Sequence, residues 1–245
     1  LRNIDILSFL LDSCPGYAKM LSMLTSTKYQ KSIKAPQPDR HVLMPGTNNK
    51  KLGSRVKKGL MWGGKYMYAL TLTERETCPK SCHHWNDCYG NNMPFAKRWK
   101  TGKALQVAIE NDIKRLTRKH KDGIVVRLHV LGDFYHVGYV KFWAKMLRKY
   151  PTLSIFGYTA RSTGSIYQQL MFTNQEFPDQ CVIRVSKNKN YQYAPTNPGF
   201  KLRYASTEDF YGEFFGCPEQ TGVLPSCASC GLCWASTRTV KFYSH

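Results

Sequence analysis

Ile124-Val125-Val126-Arg127-Leu128-His129-Val130-Leu131 is the stretch on which the fold turns. Its side chains alternate: Ile124, Val126, Leu128 and Val130 share one face, and Arg127 and His129 share the other, as a strand requires. On its N-terminal side a long helix is expected from about Pro94 to His120. Leu105, Ile109, Ile113 and Leu116 recur at helical spacing and form one apolar stripe, while Lys103, Lys114, Arg118 and Lys121 occupy another face. On its C-terminal side the pattern predicts a helix over about 138–149, a strand at Leu153–Thr159, a helix near 163–172 and a strand at Cys181–Ser186. Weaker strands follow at Lys201–Ser206 and Arg238–Tyr243, and one precedes at Lys65–Thr71.

Strands alternating with helices mean βαβ units, a mainly parallel sheet and right-handed crossovers. The class is therefore α/β. Five or six mainly parallel strands suit a partial TIM-like (βα) barrel or an open sheet. The main domain is read as residues 65–245, ending in a cysteine-rich segment at 217–233. Residues 1–64 form an N-terminal region packed on it. Within that region residues 1–30 suggest one or two short helices with a turn at Pro15-Gly16. Residues 31–64, rich in Lys, Pro and Gly, are expected as an irregular basic arm or ordered loop and not as a core element.

Lys and Arg number 36 against 16 Asp and Glu, a formal charge of +20. Positive charge of this size points to a polyanionic partner, DNA or RNA in the first place. It is clustered: eight Lys or Arg and one acid lie in 31–60, nine against two in 94–121, and five with no acid between Arg184 and Arg203. No stretch is long and apolar enough to span a bilayer, so a membrane is not expected as a partner. The run Ile4–Leu11 is interrupted and lacks a basic leader, which is not the pattern of a signal peptide. The oligomeric state is not legible.

Nine cysteines, seven of them grouped at short spacing, do not form the pattern of a secreted disulfide framework and indicate metal binding in a reducing cytoplasm. The later group is Cys217-x9-Cys227-Ala-Ser-Cys230-Gly-Leu-Cys233. A C-x2-C-x2-C run with a remote fourth cysteine followed by Pro218 is the ligand pattern of bacterial ferredoxin sites and indicates a [4Fe–4S] cluster. Zinc in a four-thiolate tetrahedron is the alternative metal. Gly231 removes a Cβ where the loop curls tightly. The earlier group, Cys78-Pro-Lys-Ser-Cys82-His-His-Trp-Asn-Asp-Cys88, offers three thiolates on the loop after a strand. Three readings stand: a zinc knuckle completed by His83 or His84, a cluster with one iron left open to a ligand, or one cluster shared by both groups. Cys14 and Cys181 stand alone, as small core residues do.

The blocks C-P-K-S-C-H-H-W-N-D-C-Y-G-N-N, L-H-V-L-G-D-F and S-C-A-S-C-G-L-C-W resemble a family of phage and prophage proteins, the mycobacteriophage gene product 88 group, from about Leu43 onward. That resemblance implies a phage-encoded protein acting in the host cytoplasm and supplies no activity. Three cysteines after the first strand of a βα barrel also resemble, more distantly, the radical S-adenosylmethionine enzymes, some of which carry an auxiliary cluster. This second resemblance implies one or two clusters and bound S-adenosylmethionine. Gly132 and Asp133 of Leu131-Gly132-Asp133 stand where such enzymes contact its amino group. The spacing x3 and x5 departs from the usual x3 and x2, and no Gly-Gly-Glu follows the second strand.

Arg127, His129, Asp133, Arg161 and Arg184 are the remaining candidates. In a barrel, residues at the C-terminal ends of strands surround the active site, and the cationic ones among these suit an anionic ligand. An enzyme predicts that Arg127, Arg161 and Arg184 converge beside Cys78, Cys82 and Cys88. A nucleic-acid-binding module with structural or redox-sensing sites predicts that they do not.

Overall fold

The computed structural model describes residues 26–187, 203–207 and 214–243. The helices and turn expected before residue 26, and Cys14, lie outside these, as do Lys201 and Leu202 of one expected strand. The strands are β1 (Ile33–Lys34), β2 (Met44–Pro45), β3 (Tyr66–Ala69), β4 (Arg98–Trp99), β5 (Ile124–Leu128), β6 (Leu153–Thr159), β7 (Cys181–Lys187), β8 (Tyr204–Ser206), β9 (Phe214–Gly216) and β10 (Thr239–Lys241). The helices are α1 (Lys103–Lys119), α2 (Val137–Lys149), α3 (Gly164–Glu176), α4 (Cys227–Cys230) and α5 (Leu232–Ala235).

Eight strands form one sheet in the order β2-β3-β5-β6-β7-β8-β10-β9. Only β2 runs antiparallel to its neighbour; the other pairings are parallel. β1 and β4 make a separate parallel pair. The chain is thus a mixed α/β structure with a mostly parallel sheet. From β3 to β8 the strands stand in chain order, and α1, α2 and α3 all pack on one face. There Tyr68, Ile124, Val126, Leu128, Leu153, Ile155, Ile183 and Val185 meet Ile109, Ile113, Val140, Trp143 and Leu170 in one apolar cluster.

The sheet does not close. β2 and β9 are its two edges among the described residues. The expected count of five or six strands falls short because β2 and β9 are two and three residues long, too short to carry a period.

Among the described residues no long helix covers the second face of the sheet, which carries Met67, Ala69, Val125, Phe156, Val182, Ala205 and Val240. Leu52, Val56 and Trp62 cover it from one side, and Ala228, Cys233 and Trp234 from the other. Trp62 and Trp234 stack with ring centroids 5.3 Å apart. The basic arm is therefore a core element, contrary to expectation. Its backbone finds partners in the cysteine-rich segment: Cys227 N–H donates to Lys51 O, Ala228 N–H to Leu52 O and Lys57 N–H to Ala228 O. A segment satisfied by such long-range bonds needs no period of its own.

Two boundaries also move. α1 starts after Gly102, whose φ of +129° suits glycine, and Arg98-Trp99 is strand, so the helix does not reach back to Pro94. β5 ends at Leu128, and the alternation ends with it. His129 turns to the helical side against Phe134 and Tyr139, while Val130 packs on the second face.

Candidate metal centres

The earlier cysteine loop leaves the end of β3 and crosses the C-terminal rim of the sheet. Its first anchor is Thr77, whose hydroxyl donates to Thr73 O at 2.7 Å and accepts from Asp133 N–H at 3.0 Å. The Thr77 carbonyl accepts from Arg161 Nη2 at 3.0 Å, and Arg161 Nε donates to Phe134 O. The turn after β5 comes so close that a Cβ on Gly132 would lie 2.6 Å from Thr77 Oγ1, and its φ is +86°. Asp133 is buried and accepts from Thr159 Oγ1 at 2.7 Å, Phe134 N–H at 2.6 Å and Ala160 N–H at 2.8 Å. Burial outweighs these donors and lifts its pKa to about 6.

The far end of this loop rests on a buried ion pair. Arg98 donates to both oxygens of Glu74, at 2.7 and 3.0 Å, and also to the carbonyls of Gly90, Met93 and Ala96. A Cβ on Gly90 would lie 2.8 Å from Glu74 Oε1, so the turn after Cys88 fits only as glycine. In the middle, His84 uses both ring nitrogens, Nδ1 towards Asp87 and Nε2 with Thr207 Oγ1 at 2.8 Å beyond β8. Burial pushes the Cys78 thiol up to about 12, helped by Asp133, Cys82 and Cys88, and also raises Cys82 and Cys88.

The later group is built into the core of the second face. Ser226 and Ser229 cap α4 reciprocally. Gly231, at φ +71°, ends α4 and begins α5. Arg184, projecting from β7, donates to five carbonyls, those of Cys233, Tyr204, Arg238, Leu232 and Ser236. Arg203 donates to Trp234 O, and Cys217 N–H to Lys241 O at 2.9 Å. Burial lifts the Cys233 thiol to about 11, and Tyr158 of β6 and Arg184 offset part of that rise. Cys227 and Cys230 are raised as well, burial first, and Cys217 adds to the rise at all three.

Residues 42–236 match the family model described as Gene product 88. The chain belongs to the Gene product 88 family. The match contains all seven grouped cysteines and both segments that cover the second face. A curated relative, the Gene 88 protein of Mycobacterium phage L5, is 27% identical over 130 residues, which are 47% of this chain and 53% of that protein. The chain thus spans about half the length of that relative. No solved structure matches. Among the described residues no helix is long and apolar enough to cross a membrane.

In this family member the three candidate arginines do not converge. Arg161 stands at the earlier cysteine group, Arg184 clasps the later one, and Arg127 lies over the rings of Tyr158 and Phe156 at 4.4 and 5.5 Å, beside the later group. His129 faces the helical side of the sheet: its Nε2 meets Tyr139 OH at 3.0 Å, its Nδ1 has no partner, and burial lowers its pKa to about 3. The eight described cysteines are free thiols, and Cys181 belongs to the helical-side core as expected. Among the described residues no group of three or more His, Cys, Asp or Glu side chains is placed to hold a metal ion. Thr77, the Glu74–Arg98 pair, Tyr158 and Lys51 were not legible as site residues. Lys51 touches both groups: its carbonyl receives Cys227 N–H, and its ammonium lies 5.9 Å from the ring centroid of Tyr89, next to Cys88.

Proposed function

We propose that this Gene product 88 member is an iron–sulfur protein that binds nucleic acid, with its metal centres serving structure or redox sensing. The observation that carries the reading is the C-x2-C-x2-C run of free thiols at Cys227, Cys230 and Cys233, with Cys233 and Cys227 set against the apolar second face and a fourth free thiol at Cys217. Buried thiols are poor thiolates unless a cation stabilises them, and a bound metal would be that cation. A cube spreads its thiolates over separate irons, whereas zinc draws all four onto one ion at about 2.3 Å. The overlapping C-x2-C-x2-C run, with a remote Cys217 followed by Pro218, favours a [4Fe–4S] cluster over zinc. When bound it would supply one-electron chemistry and hold the C-terminal segment to the sheet. Cys78, Cys82 and Cys88 would hold a second centre at the rim. His84, with both nitrogens engaged, does not complete it, so one position there is left for His83 or an outside ligand.

The partner reading rests on Lys50, Lys57 and Lys58, which stand exposed on the arm, and on the outer face of α1. Arg184 and Arg203 are occupied by carbonyls and contribute nothing to a phosphate surface. The second reading is a radical-S-adenosylmethionine-like enzyme acting on nucleic acid. It is favoured by three thiols following the first of a run of parallel strands in chain order, like the start of a partial barrel. The scattered arginines, and an Asp133 carboxylate already accepting three hydrogen bonds, place it second. Anaerobic purification with iron, acid-labile sulfide and zinc analysis tests the metal. A brown protein with iron and sulfide in near-equal amounts is expected. A colourless protein holding stoichiometric zinc, and gaining no cluster on reconstitution, would overturn the iron–sulfur reading. Reduced protein titrated anaerobically with S-adenosylmethionine, followed by paramagnetic resonance, tests the second reading: a changed signal lost in Cys82→Ser would promote it.

A further inference from the structure

Phe95 stands 97% exposed, well beyond the partial exposure that is ordinary for apolar side chains on a surface. Its backbone is nevertheless fixed. The buried Arg98 donates to Met93 O at 3.1 Å and to Ala96 O at 2.8 Å, carbonyls on either side of it, and Glu74 pairs with the same guanidinium. Ala96 N–H closes the turn onto Met93 O at 3.3 Å. A slack loop could fold an apolar ring back onto its own chain. This turn is clamped from within and holds the ring out in water, and a contact displayed in this way costs little ordering when something binds it.

The segments around that turn are cationic. β1 and β4 pair in parallel, Ile33 with Arg98 and Lys34 with Trp99, and Lys100 N–H donates to Lys34 O at 3.0 Å. Tyr29 extends the contact by donating to Asn91 O at 2.5 Å and lying under the Arg98 guanidinium. Two stretches distant in the chain thereby run side by side. Lys28, Lys31 and Lys34 stand on one and Lys97, Lys100 and Lys103 on the other, all six exposed. No Asp or Glu occurs in 26–38 or in 88–109. Among the described residues none of the six lysines pairs with a carboxylate. Such a surface attracts a polyanion, and its uncovered ring attracts a flat apolar face.

We propose that Phe95 is a stacking platform for an unpaired base of a single-stranded nucleic acid, whose phosphates the lysines of the β1 and β4 segments neutralise. This rests on the nucleic-acid reading above and gives it a strand type and a contact. Every base has a π-face, so stacking on a phenyl ring tolerates any sequence, and lysines that meet phosphates read none either. A duplex hides those faces between its base pairs, and the ring would have to wedge a step apart to reach one. A single strand offers them freely.

The test is fluorescence anisotropy of the full chain with a labelled DNA strand of about twelve nucleotides, alone and annealed to its complement. The variants are Phe95→Ala, Phe95→Trp and the triple change Lys34→Gln, Lys97→Gln and Lys100→Gln. Wild type is expected to prefer the single strand. Phe95→Ala is expected to weaken single-strand binding about tenfold with its salt dependence unchanged, because a phenyl ring neutralises no phosphate. Its urea unfolding should be unmoved, since the ring has no part in the core. Phe95→Trp is expected to keep the affinity and to add a tryptophan fluorescence that the strand quenches. The triple lysine change acts otherwise and flattens the salt dependence, by about 0.7 in logarithmic slope per phosphate released. Full-strength binding by Phe95→Ala, or an equal loss on strand and duplex, overturns this inference and leaves the nucleic-acid reading standing. Wild-type protein that binds neither probe at low salt overturns both.

Discussion

The two cysteine groups are held in opposite ways. The earlier one lies on the rim, outside the apolar core, and each of its ends is pinned by polar fasteners: Thr77 with Asp133 and Arg161 at the start, Glu74 with Arg98 at the finish. The later one is itself core. Cys233, Ala228 and Trp234 pack on the sheet, and the segment is clasped by Arg184 through its carbonyls. Rigidity without enclosure suits a site that meets something from outside. Enclosure suits one that completes a fold. The contrast depends on which residues do the holding, so it can be broken one group at a time.

The largest effect is expected from Glu74→Leu. It leaves Arg98 buried and uncompensated, which costs about 3–5 kcal/mol. Urea unfolding should show that loss, and alkylation of Cys88 should speed up while any signal of the later centre persists. Equal acceleration at Cys230 would show that the two groups are held together rather than separately.

Gly132→Ala comes next, at about 1–3 kcal/mol for a residue forced into the left-handed region, with a clash against Thr77 added. Its effect should reach Cys78 labelling before Cys227 labelling.

His129 tests whether the groups fail together. Its folded pKa, about 3, lies below its ordinary 6.5, so the unfolded chain takes up the proton first. Stability is full above pH 6.5 and falls as the pH drops towards 3, by about 1.4 kcal/mol per unit within that window. His129→Phe should flatten the acid limb, and both cysteine groups should gain acid resistance alike, because β5 supports both.

The smallest structural effect belongs to the triple change Lys50→Gln, Lys57→Gln and Lys58→Gln. Unfolding should be unmoved. The salt dependence of nucleic-acid binding, followed by anisotropy, should flatten by about 0.7–0.9 in logarithmic slope for each phosphate that is no longer neutralised.

The elements that carry a period were legible. β6 was expected with its observed bounds, and the stripe Leu105, Ile109, Ile113, Leu116 lies buried on α1. So were the cysteines, because ligand spacing is local and close-set. The cover of the second face was not legible, since Leu52, Val56 and Trp62 follow no period and share their cluster with Ala228 and Trp234, more than 150 residues further along the chain. For the same reason Arg98 reads as surface charge in the sequence: its partner Glu74 lies 24 residues earlier, and no spacing rule links the two. Alternation also places Arg127 and His129 on one face, and it fails where the strand ends at Leu128.

β10 enters the sheet between β8 and β9, although both of those precede it in the chain. Until it does so, β9 has no neighbour, and Cys217 lacks the Lys241 carbonyl that receives its N–H. The central place of β10 in this edge therefore makes the segment after Cys233 a structural support of the segment before Cys217: shortening β10 removes the neighbour of β9 and the acceptor of the Cys217 N–H in one step.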